Sequence, residues 1–256
     1  MASALIKGVI SSGFANACDI AASEVSQQKA EEKSSELKIN VLTDNCELVR
    51  QSDVIFISTT PNYVEIVLNE IKTVLTPEKL VVSIAAGVTT GFIQSVLNDE
   101  CRVVRVMPNT PALVLEGMSG VAGGKNSKRE DIDFVLEFLS NIGKAVEVDE
   151  TQMDIVTAIS GSGPAFYYKV INDIARAGEK LGLDYDKALI LSVQTAIGAA
   201  KMILNSDKSP EDLISSVATK GGCTRAGVDY LEEVNSENLF YNLIKKTALK
   251  ANTLGK

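Results

Sequence analysis

Two glycine-bearing turns in the second half of the chain carry groups suited to binding an anion. The first is Ser160-Gly161-Ser162-Gly163-Pro164-Ala165-Phe166, and the second is Thr219-Lys220-Gly221-Gly222-Cys223-Thr224. Each turn leads into a helical pattern, so unpaired backbone N–H groups and the positive end of a helix dipole face a carboxylate or phosphate. The alternative is that both are ordinary helix entry loops, in which glycine supplies backbone freedom and Pro164 opens the helix.

Histidine is absent from all 256 residues. This excludes a Ser-His-Asp triad, a His-Glu-x-x-His zinc helix and the histidine acid of many hydroxyacid dehydrogenases. Any proton transfer must therefore use another side chain or the substrate itself. The four cysteines are widely spaced without a Cys-x-x-Cys pair, which is typical of reduced cytoplasmic proteins and predicts no metal site. They are Cys18, Cys46, Cys101 and Cys223.

Charge and hydropathy exclude several classes of partner. The net charge is −8, from 25 basic and 33 acidic residues that are intermixed, so we expect no nucleic-acid partner and no membrane-binding face. Lys7, Gly8 and Gly13 interrupt any signal-peptide core, and we expect no apolar run near the roughly eighteen residues of a membrane span. The sequence therefore predicts a cytoplasmic protein.

Two further motifs identify a family. Met107-Pro108-Asn109-Thr110-Pro111-Ala112 and the run Val81–Thr89 occur with the two glycine turns in the order and spacing of the pyrroline-5-carboxylate reductases, which the chain resembles from its first residue to about Lys250. The resemblance implies reduction of 1-pyrroline-5-carboxylate to L-proline, the last step of proline biosynthesis, with NADPH or NADH. A protonated cyclic imine needs no strong enzymic acid, which agrees with the absence of histidine.

The front of the chain departs from that family. Members begin with a strand and a Gly-x-Gly-Asn-Met loop, whereas Met1–Gly8 resembles the helix that follows. No Gly-x-Gly-x-x-Gly occurs anywhere in the chain. Because that loop places a pyrophosphate on a helix N-terminus, we expect its loss to weaken the sheet and the cofactor site. A misplaced start and a truncation are both open explanations of this departure. Whether the chain as given is active is a second open question.

The resemblance also implies a cofactor site for NADP or NAD. Ser23 and Asn45 would lie near the adenosine ribose, and Ile84–Ala86 would line the nicotinamide. The alternative for the two alanines is plain strand packing. No acidic residue ends the second strand of the family's fold, since Asp19 is expected inside it and Glu24 after it, which favours NADP. The family's usual lysine is replaced by threonine in the loop Ser58-Thr59-Thr60-Pro61. The full implied set is Ser23, Asn45, Ser58, Thr59, Thr60, Pro61, Ile84, Ala85, Ala86 and Asn109.

The substrate site implied by the resemblance is the second glycine turn. The N–H groups of Gly221, Gly222 and Cys223 would hold the carboxylate with help from the Thr219 hydroxyl. Thr224 would donate to or orient the ring nitrogen and is the candidate catalytic residue. Lys220 replaces a family proline, and Asp207 matches a family acid; both are expected to be solvated.

Residues 1–150 are predicted to form a Rossmann-like α/β domain, because short apolar runs alternate with helical patterns. We expect a parallel sheet, with helices between its strands. Ser127-Lys128-Arg129-Glu130 is expected to be a capping box that opens one of these helices. The candidate strands are Cys18–Ala22, Val54–Ile57, Leu80–Ala85, Arg102–Met107, Gly120–Gly123 and Ala145–Val148.

Residues 151–256 are predicted to form an all-helical domain, with capping boxes at Thr151–Asp154 and Ser209–Asp212 and a helix stop at Gly182 before the cap Asp184. The Tyr185–Leu204 pattern is apolar on nearly every side, so a partner subunit must cover it. We therefore expect a homodimer or a higher homo-oligomer. The expected helices are 151–159, Pro164–Leu181, Tyr185–Leu204, Pro210–Val217, Cys223–Glu233 and Glu237–Asn252.

Two rival functions remain open from the sequence. The first is a non-catalytic dimeric binding protein, favoured by the missing glycine loop and by Thr60. The second is a 3-hydroxyacid dehydrogenase, in which Lys169 and Asn172, one turn apart, would act together. The Thr219–Thr224 turn has no counterpart in that second group.

Overall fold

The computed structural model describes residues 1–253. Its first part alternates helices and strands, as the hydropathy pattern predicts. The elements are α1 (Ala2–Ser11), β1 (Ala21–Ser23), α2 (Gln27–Leu37), β2 (Asn40–Leu42), α3 (Asn45–Arg50), β3 (Val54–Ile57), α4 (Pro61–Ile71), β4 (Leu80–Ser83), α5 (Thr90–Leu97), β5 (Arg102–Met107), β6 (Gly117–Gly123), α6 (Arg129–Ser140) and β7 (Gly143–Glu147). Short 3-10 turns lie at Ala17–Asp19, Thr110–Val114 and Glu150–Gln152.

The strands form two sheets. β1 and β2 pair in parallel, and the larger sheet has the order β3-β4-β5-β6-β7. The expected parallel pairing holds for β3, β4 and β5 but is wrong for β6, which runs antiparallel to β5. The link between them, residues 108–116, is shorter than the dozen or more residues that a parallel crossover needs. β7 then pairs in parallel with β6.

Helices cover both faces of the larger sheet, which is why β4 is buried at all four of its positions. On one face, Val64 and Leu68 of α4 and Ile93 of α5 pack with β-strand residues that include Val81. On the other face, α1 and α6 pack against a second set of strand side chains. The alternation of residues between these two cores fixes the sheet register and the positions of the loops at the strand ends.

One strand prediction needs correction, and one strand was missed. The strand expected at Cys18–Ala22 lies at Ala21–Ser23, because Asn16 and Asp19 close a 3-10 turn before it. The Asp19 carboxylate accepts hydrogen bonds from the Asn16 side chain at 2.9 Å and from its backbone N–H at 3.2 Å. These bonds lower the pKa of Asp19. Asp19 is therefore outside the strand, and the short strand β2 was not predicted at all.

Two of the three predicted capping boxes are displaced along the chain. At α6 the Asp131 carboxylate, rather than Glu130, reaches back to the Lys128 N–H at 2.8 Å. Before α7 (Met153–Val156), Gln152 accepts from the Asp149 N–H at 3.3 Å, so Thr151 is not the cap. The third predicted box, Ser209–Asp212, is confirmed by reciprocal bonds of 3.1 and 3.3 Å.

The second part of the described chain is helical throughout. After α7 come a π-turn (Thr157–Gly161), α8 (Gly163–Lys180), α9 (Tyr185–Leu204), α10 (Pro210–Val217), α11 (Cys223–Glu233) and α12 (Ser236–Ala251). Gly182, at φ +97°, ends α8, and Asp184 caps α9 as predicted. The helix expected over 151–159 is broken into a 3-10 turn, α7 and the π-turn.

The described residues divide into two compact units, whereas the predicted domain boundary was residue 150. Unit 1 is Met1–Ser162 together with the segment from Lys245, and unit 2 is Gly163–Ile244. Within α9 the only buried residue is Ala188. Its mean hydropathy of 1.4 also makes α9 long and apolar enough to cross a membrane. The expectation that no segment approaches a membrane span was therefore wrong on length and composition.

Candidate functional site

The carboxyl ends of three adjacent parallel strands meet at one edge of the larger sheet. Ser58 follows β3, Ile84 follows β4 and Pro108 follows β5. In sheets of this kind, ligands bind in the crevice outside these carboxyl ends. The topology thus gathers the predicted residues 58–61, 84–86 and 109 at one edge.

The loop between β3 and α4 ends in a helix start without a side-chain cap. Thr60 is the N-cap residue and its side chain accepts no hydrogen bond, while Pro61 occupies the first helical turn. Ser58 and Thr60 are exposed. No acidic side chain occupies the first turn of α4. This helix start therefore retains the positive end of its dipole for an anion.

The three predicted nicotinamide residues differ in their burial. Ile84 donates its N–H to the Ile57 carbonyl at 3.1 Å and is half-buried. Ala85 is only 3% exposed and belongs to the core between β4 and α4. Ala86 is half-buried, and Gly87 follows at φ +78°. Core packing thus explains Ala85, while Ile84 and Ala86 keep accessible surface for a ligand.

Asn109 is buried, and both ends of its amide are already paired. Its Nδ2 donates to the Ser160 carbonyl at 3.1 Å, and its Oδ1 accepts from the Met118 N–H at 2.9 Å. The side chain therefore ties the loop after β5 to β6 and to the π-turn. A direct contact between Asn109 and a cofactor stays a prediction, and the observed bonds assign it a role in shaping the loop.

Ser23 and Asn45 are brought together, as a shared ligand site requires. The Ser23 Oγ donates to Asn45 Oδ1 at 2.6 Å, and Asn45 Nδ2 donates to Glu70 Oε2 at 2.9 Å. Glu70 lies on α4 and was not predicted. No local spacing links it to Asn45, which lies 25 residues earlier.

Asp44, Cys46 and Glu70 have potential metal-ligand atoms within 4.8 Å of one another. Each side chain already has a partner: Asp44 caps α3 through the Glu47 N–H, Cys46 Sγ lies 3.3 Å from the Glu70 carbonyl oxygen, and Glu70 accepts from Asn45. Asp44 and Glu70 are exposed. These contacts account for the cluster without a metal ion.

The second glycine turn, between α10 and α11, is exposed and partly self-bonded. Gly221 has φ +78°, and the Gly222 N–H donates to the Thr219 carbonyl at 3.0 Å. Gly222 is the N-cap of α11 and provides no side-chain cap. Within the described residues, the hydroxyls of Thr219 and Thr224 form no hydrogen bond. The N–H groups of Gly221 and Cys223 and both hydroxyls thus remain open to a ligand.

The first glycine turn has a different structure from the second. Its start lies inside the π-turn, where the Ser162 N–H donates to the Thr157 carbonyl at 2.8 Å and Ser160 Oγ donates to the Val156 carbonyl at 3.0 Å. A Cβ on Gly161 would lie 2.6 Å from the Met107 side chain. The Met107 atom is the movable end of a flexible side chain, so this contact does not demand glycine. The bonds to Thr157 and Val156 are those of a helix entry, the second of the two interpretations of this turn.

The pair expected of a 3-hydroxyacid dehydrogenase has other partners. Lys169 is exposed and forms an ion pair with Asp173 at 2.6 Å. Asn172 accepts a hydrogen bond from the Tyr185 hydroxyl at 2.9 Å. Lys220 and Asp207 are exposed, as expected.

Comparison with known proteins identifies the family. Residues 150–254 match the profile of pyrroline-5-carboxylate reductase dimerisation, and residues 1–87 match that of NADP oxidoreductase, coenzyme F420-dependent. A pyrroline-5-carboxylate reductase of Methanosarcina acetivorans is 41% identical over 256 residues, covering 100% of this chain and 95% of its own length. The Pisum sativum enzyme is 37% identical, over 99% of this chain and 92% of its own. The chain belongs to the pyrroline-5-carboxylate reductase family.

Solved structures agree with this assignment. The Coxiella burnetii pyrroline-5-carboxylate reductase superposes with a TM-score of 0.94 at 30% identity, covering 100% of this chain and 95% of that one. A Plasmodium falciparum pyrroline carboxylate reductase with NADP bound gives 0.87 at 31% identity, over 99% and 94%. A prephenate dehydrogenase from A. aeolicus shares only the fold, at 13% identity with a TM-score of 0.55 over 93% and 94%.

Proposed function

We propose that this chain reduces 1-pyrroline-5-carboxylate to L-proline with NADPH, or with NADH, as the last step of proline biosynthesis. The observation that carries the proposal is the open start of α11, where exposed N–H groups and two unpaired hydroxyls surround one turn. The full-length identity to pyrroline-5-carboxylate reductases supports it. A second support is the loop set at the carboxyl edge of β3, β4 and β5.

The substrate carboxylate would bind at the 219–224 turn. The N–H groups of Gly221 and Cys223 and the hydroxyl of Thr219 would donate to it, with the α11 dipole adding a favourable field. The Gly222 N–H would join only if it released the Thr219 carbonyl. Gly222 also has a steric role, because a Cβ there would lie 3.0 Å from Thr219 Oγ1.

The cofactor residues present fit a dinucleotide in part. Ser23 and Asn45 form one polar pair, the α4 start supplies a helix dipole, and Ile84 and Ala86 offer apolar surface. When bound, the nicotinamide supplies a hydride. Glu70 beside Asn45 and the absence of a lysine at Thr60 both weaken the site for a 2′-phosphate. For this reason the assay must compare NADPH with NADH.

Thr224 would orient the ring nitrogen. The proton on that nitrogen would arrive with the substrate, since the chain has no histidine. Holding the imine carbon at near-attack distance and fixing the iminium charge would supply most of the acceleration. Thr224 then acts through one hydrogen bond to a charged group rather than as a strong acid.

The chain carries a dimerisation domain of its family. We infer a homodimer or higher homo-oligomer held by the helices of unit 2, in the cytoplasm, without nucleic-acid or membrane partners. The apolar exposed side chains of α9 support the oligomer. The four free cysteines support the cytoplasmic location, and the mixed charge supports the absence of nucleic-acid and membrane partners.

The assay that tests the function follows nicotinamide oxidation and L-proline formation with pyrroline-5-carboxylate, once with NADPH and once with NADH. Turnover with either cofactor is the expected result. The second candidate is a dimeric binding protein without turnover, favoured by Thr60 in place of the lysine usual in the family. A folded, dimeric protein that forms no proline with either cofactor would contradict the reductase and support this candidate.

A further inference from the structure

Glu150 is the centre of a polar network inside unit 1. One of its carboxylate oxygens accepts from the Thr90 backbone N–H and the other from the Thr90 hydroxyl, both at 2.6 Å. The Arg105 guanidinium lies 3.6 Å from Glu150 and 3.9 Å from Asp154. Arg105 and Thr90 are only 4% and 3% exposed. None of these side chains belongs to the cofactor or substrate positions described above.

The network joins three segments that surround the carboxyl edge of the sheet. Thr90 is the first residue of α5, directly after the loop that begins at Ile84. Arg105 lies in β5, four positions before Asn109. Glu150 and Asp154 open the segment that continues through the π-turn to Ser162, where unit 2 follows along the chain.

The form of these bonds indicates positioning rather than simple stability. Burying the Arg105 guanidinium costs desolvation, so its ion pairs with the half-buried Glu150 and Asp154 are weak evidence for added stability over apolar packing. The two bonds to Thr90, in contrast, are directional and hold both the backbone and the side chain of one residue. The first N–H groups of a helix have no partner within the helix. At the start of α5 the Thr89 hydroxyl accepts from the Phe92 N–H, which leaves the Thr90 N–H to Glu150, its one acceptor among the described residues.

Asn109 supplies a second, parallel tie between the same edge and the same segment, through its bond to the Ser160 carbonyl. Two ties about ten residues apart on one segment, Glu150 and Ser160, restrain its rotation as well as its distance from the sheet. The loop at Ile84–Ala86 and the segment from Glu150 to Ser162 are therefore fixed to a common frame within unit 1.

We propose that Glu150 is a positioning residue of the reductase, which holds the loop at Ile84–Ala86 in register with the segment that leads into unit 2. The proposal rests on the proposed function, because it assigns the nicotinamide to that loop. A misplacement of about 1 Å between reacting groups costs about a hundredfold in rate. A network that fixes the loop and the segment together is thus placed to affect turnover without touching a ligand.

The test is Glu150→Gln in the full chain, with Asp131→Asn as the matched control. Asp131 also pairs with an arginine of β5, the half-buried Arg102, at 2.6 Å. That pair lies at the opposite end of the strand, away from the carboxyl edge. Both variants replace a carboxylate by its amide, and both should lower the unfolding midpoint. Only Glu150→Gln should lower kcat, by about ten- to a hundredfold, with the KM for substrate changing much less.

Two further measurements separate positioning from loss of structure. Amide exchange of the cofactor-free protein should rise at Thr90 and at Ser160–Ser162 in Glu150→Gln, and at neither place in Asp131→Asn. Thr90→Val, which removes one of the two bonds, should lower kcat, whereas Thr90→Ser should restore it. A kcat that is unchanged in Glu150→Gln, or that falls equally in Asp131→Asn, would overturn the role of Glu150. Wild-type protein without turnover would instead overturn the proposed function.

Discussion

The two units differ in how they bury apolar surface. Unit 1 encloses large aliphatic side chains such as Leu68, Ile93 and Leu139, each no more than 1% exposed. In unit 2, whose residues 163–244 are all described, the buried hydrophobic residues are the alanines Ala175, Ala188 and Ala218. Its leucines and isoleucines lie largely on the surface, among them Ile190 at 68%. Unit 1 therefore completes its own core, while unit 2 leaves large apolar side chains exposed in the single chain, as expected of the dimerisation domain that it matches.

The strongest test of this difference is a charge on the exposed face of α9. Ala199→Arg should abolish the dimer at micromolar concentration, because an interface of about 800 Å² per partner cannot absorb an unpaired buried cation. Ala199 is exposed within the single chain, so an arginine there does not clash inside one subunit, and loss of the dimer would come from the interface. Sedimentation velocity measures the assembly. Ser140→Arg, on the surface of unit 1, is the control and should remain dimeric; a dimeric Ala199→Arg would contradict the difference between the units.

Shortening one aliphatic side chain in each unit sharpens the comparison. Leu68→Ala in unit 1 should lower the free energy of unfolding by about 2 to 5 kcal/mol at any protein concentration. Ile190→Ala in unit 2 should have a cost that grows with protein concentration, since its contacts form only in the assembly. Urea unfolding at two concentrations separates these cases. If the loss in free energy of unfolding depended equally on protein concentration in both variants, the two units would be stabilised in the same way.

The exposed turn of unit 2 should affect chemistry more than folding. Thr224→Ala should lower kcat/KM by about 1 to 3 kcal/mol equivalent, the scale of a hydrogen bond to a charged group. NADPH affinity and the unfolding midpoint should stay unchanged, because the hydroxyl has no partner within the described chain. Thr219→Ala should act mainly through KM. Steady-state kinetics give kcat/KM and KM, and nicotinamide fluorescence gives the NADPH affinity. Normal turnover of Thr224→Ala would show that Thr224 has no role in the reaction and only lies at the start of a helix.

The smallest expected effect is electrostatic and confined to unit 1. Lys33 and Lys7 hydrogen-bond to Glu36 and lower its pKa to about 2 from 4.5. A depressed pKa stabilises the fold above pH 4.5, and this contribution disappears as the pH falls toward 2. Glu36→Gln should therefore lower the unfolding midpoint slightly at pH 7 and have no effect near pH 2. Salt should erase the difference, because all three side chains are well exposed; a salt-independent loss would indicate packing instead.

Local signals predicted much of the helical part. The bounds of α9, α10 and α11 agree with the sequence pattern because Asp184, Ser209 and Gly222 act within one turn of each helix start. β2 was missed, since three residues carry no readable period. The reversal of β6 depends on the length of a link rather than on its residue types.

The candidate site was predictable only where it follows the end of a strand or the start of a helix. The positions after β3 and β4 can be placed from the strand patterns alone, and the start of α11 from its own helical pattern. The bonds of Asn109 to Ser160 and of Glu150 to Thr90 span 51 and 60 residues. Such pairs depend on how the sheet and the following segment pack, which no local pattern encodes. Resemblance to a family supplied roles for residues but not these contacts.

The short strands at the four sheet edges determine which kind of aggregate the protein forms on storage. β1, β2, β3 and β7 contain only three, three, four and five residues. Stacked fibrils need segments of about six or seven residues, and very short edges are one way in which proteins avoid edge-to-edge growth. Fibrillar deposits are thus disfavoured at every edge of the described sheets. Material lost on storage should be amorphous, and it should come from the apolar helices of unpaired subunits.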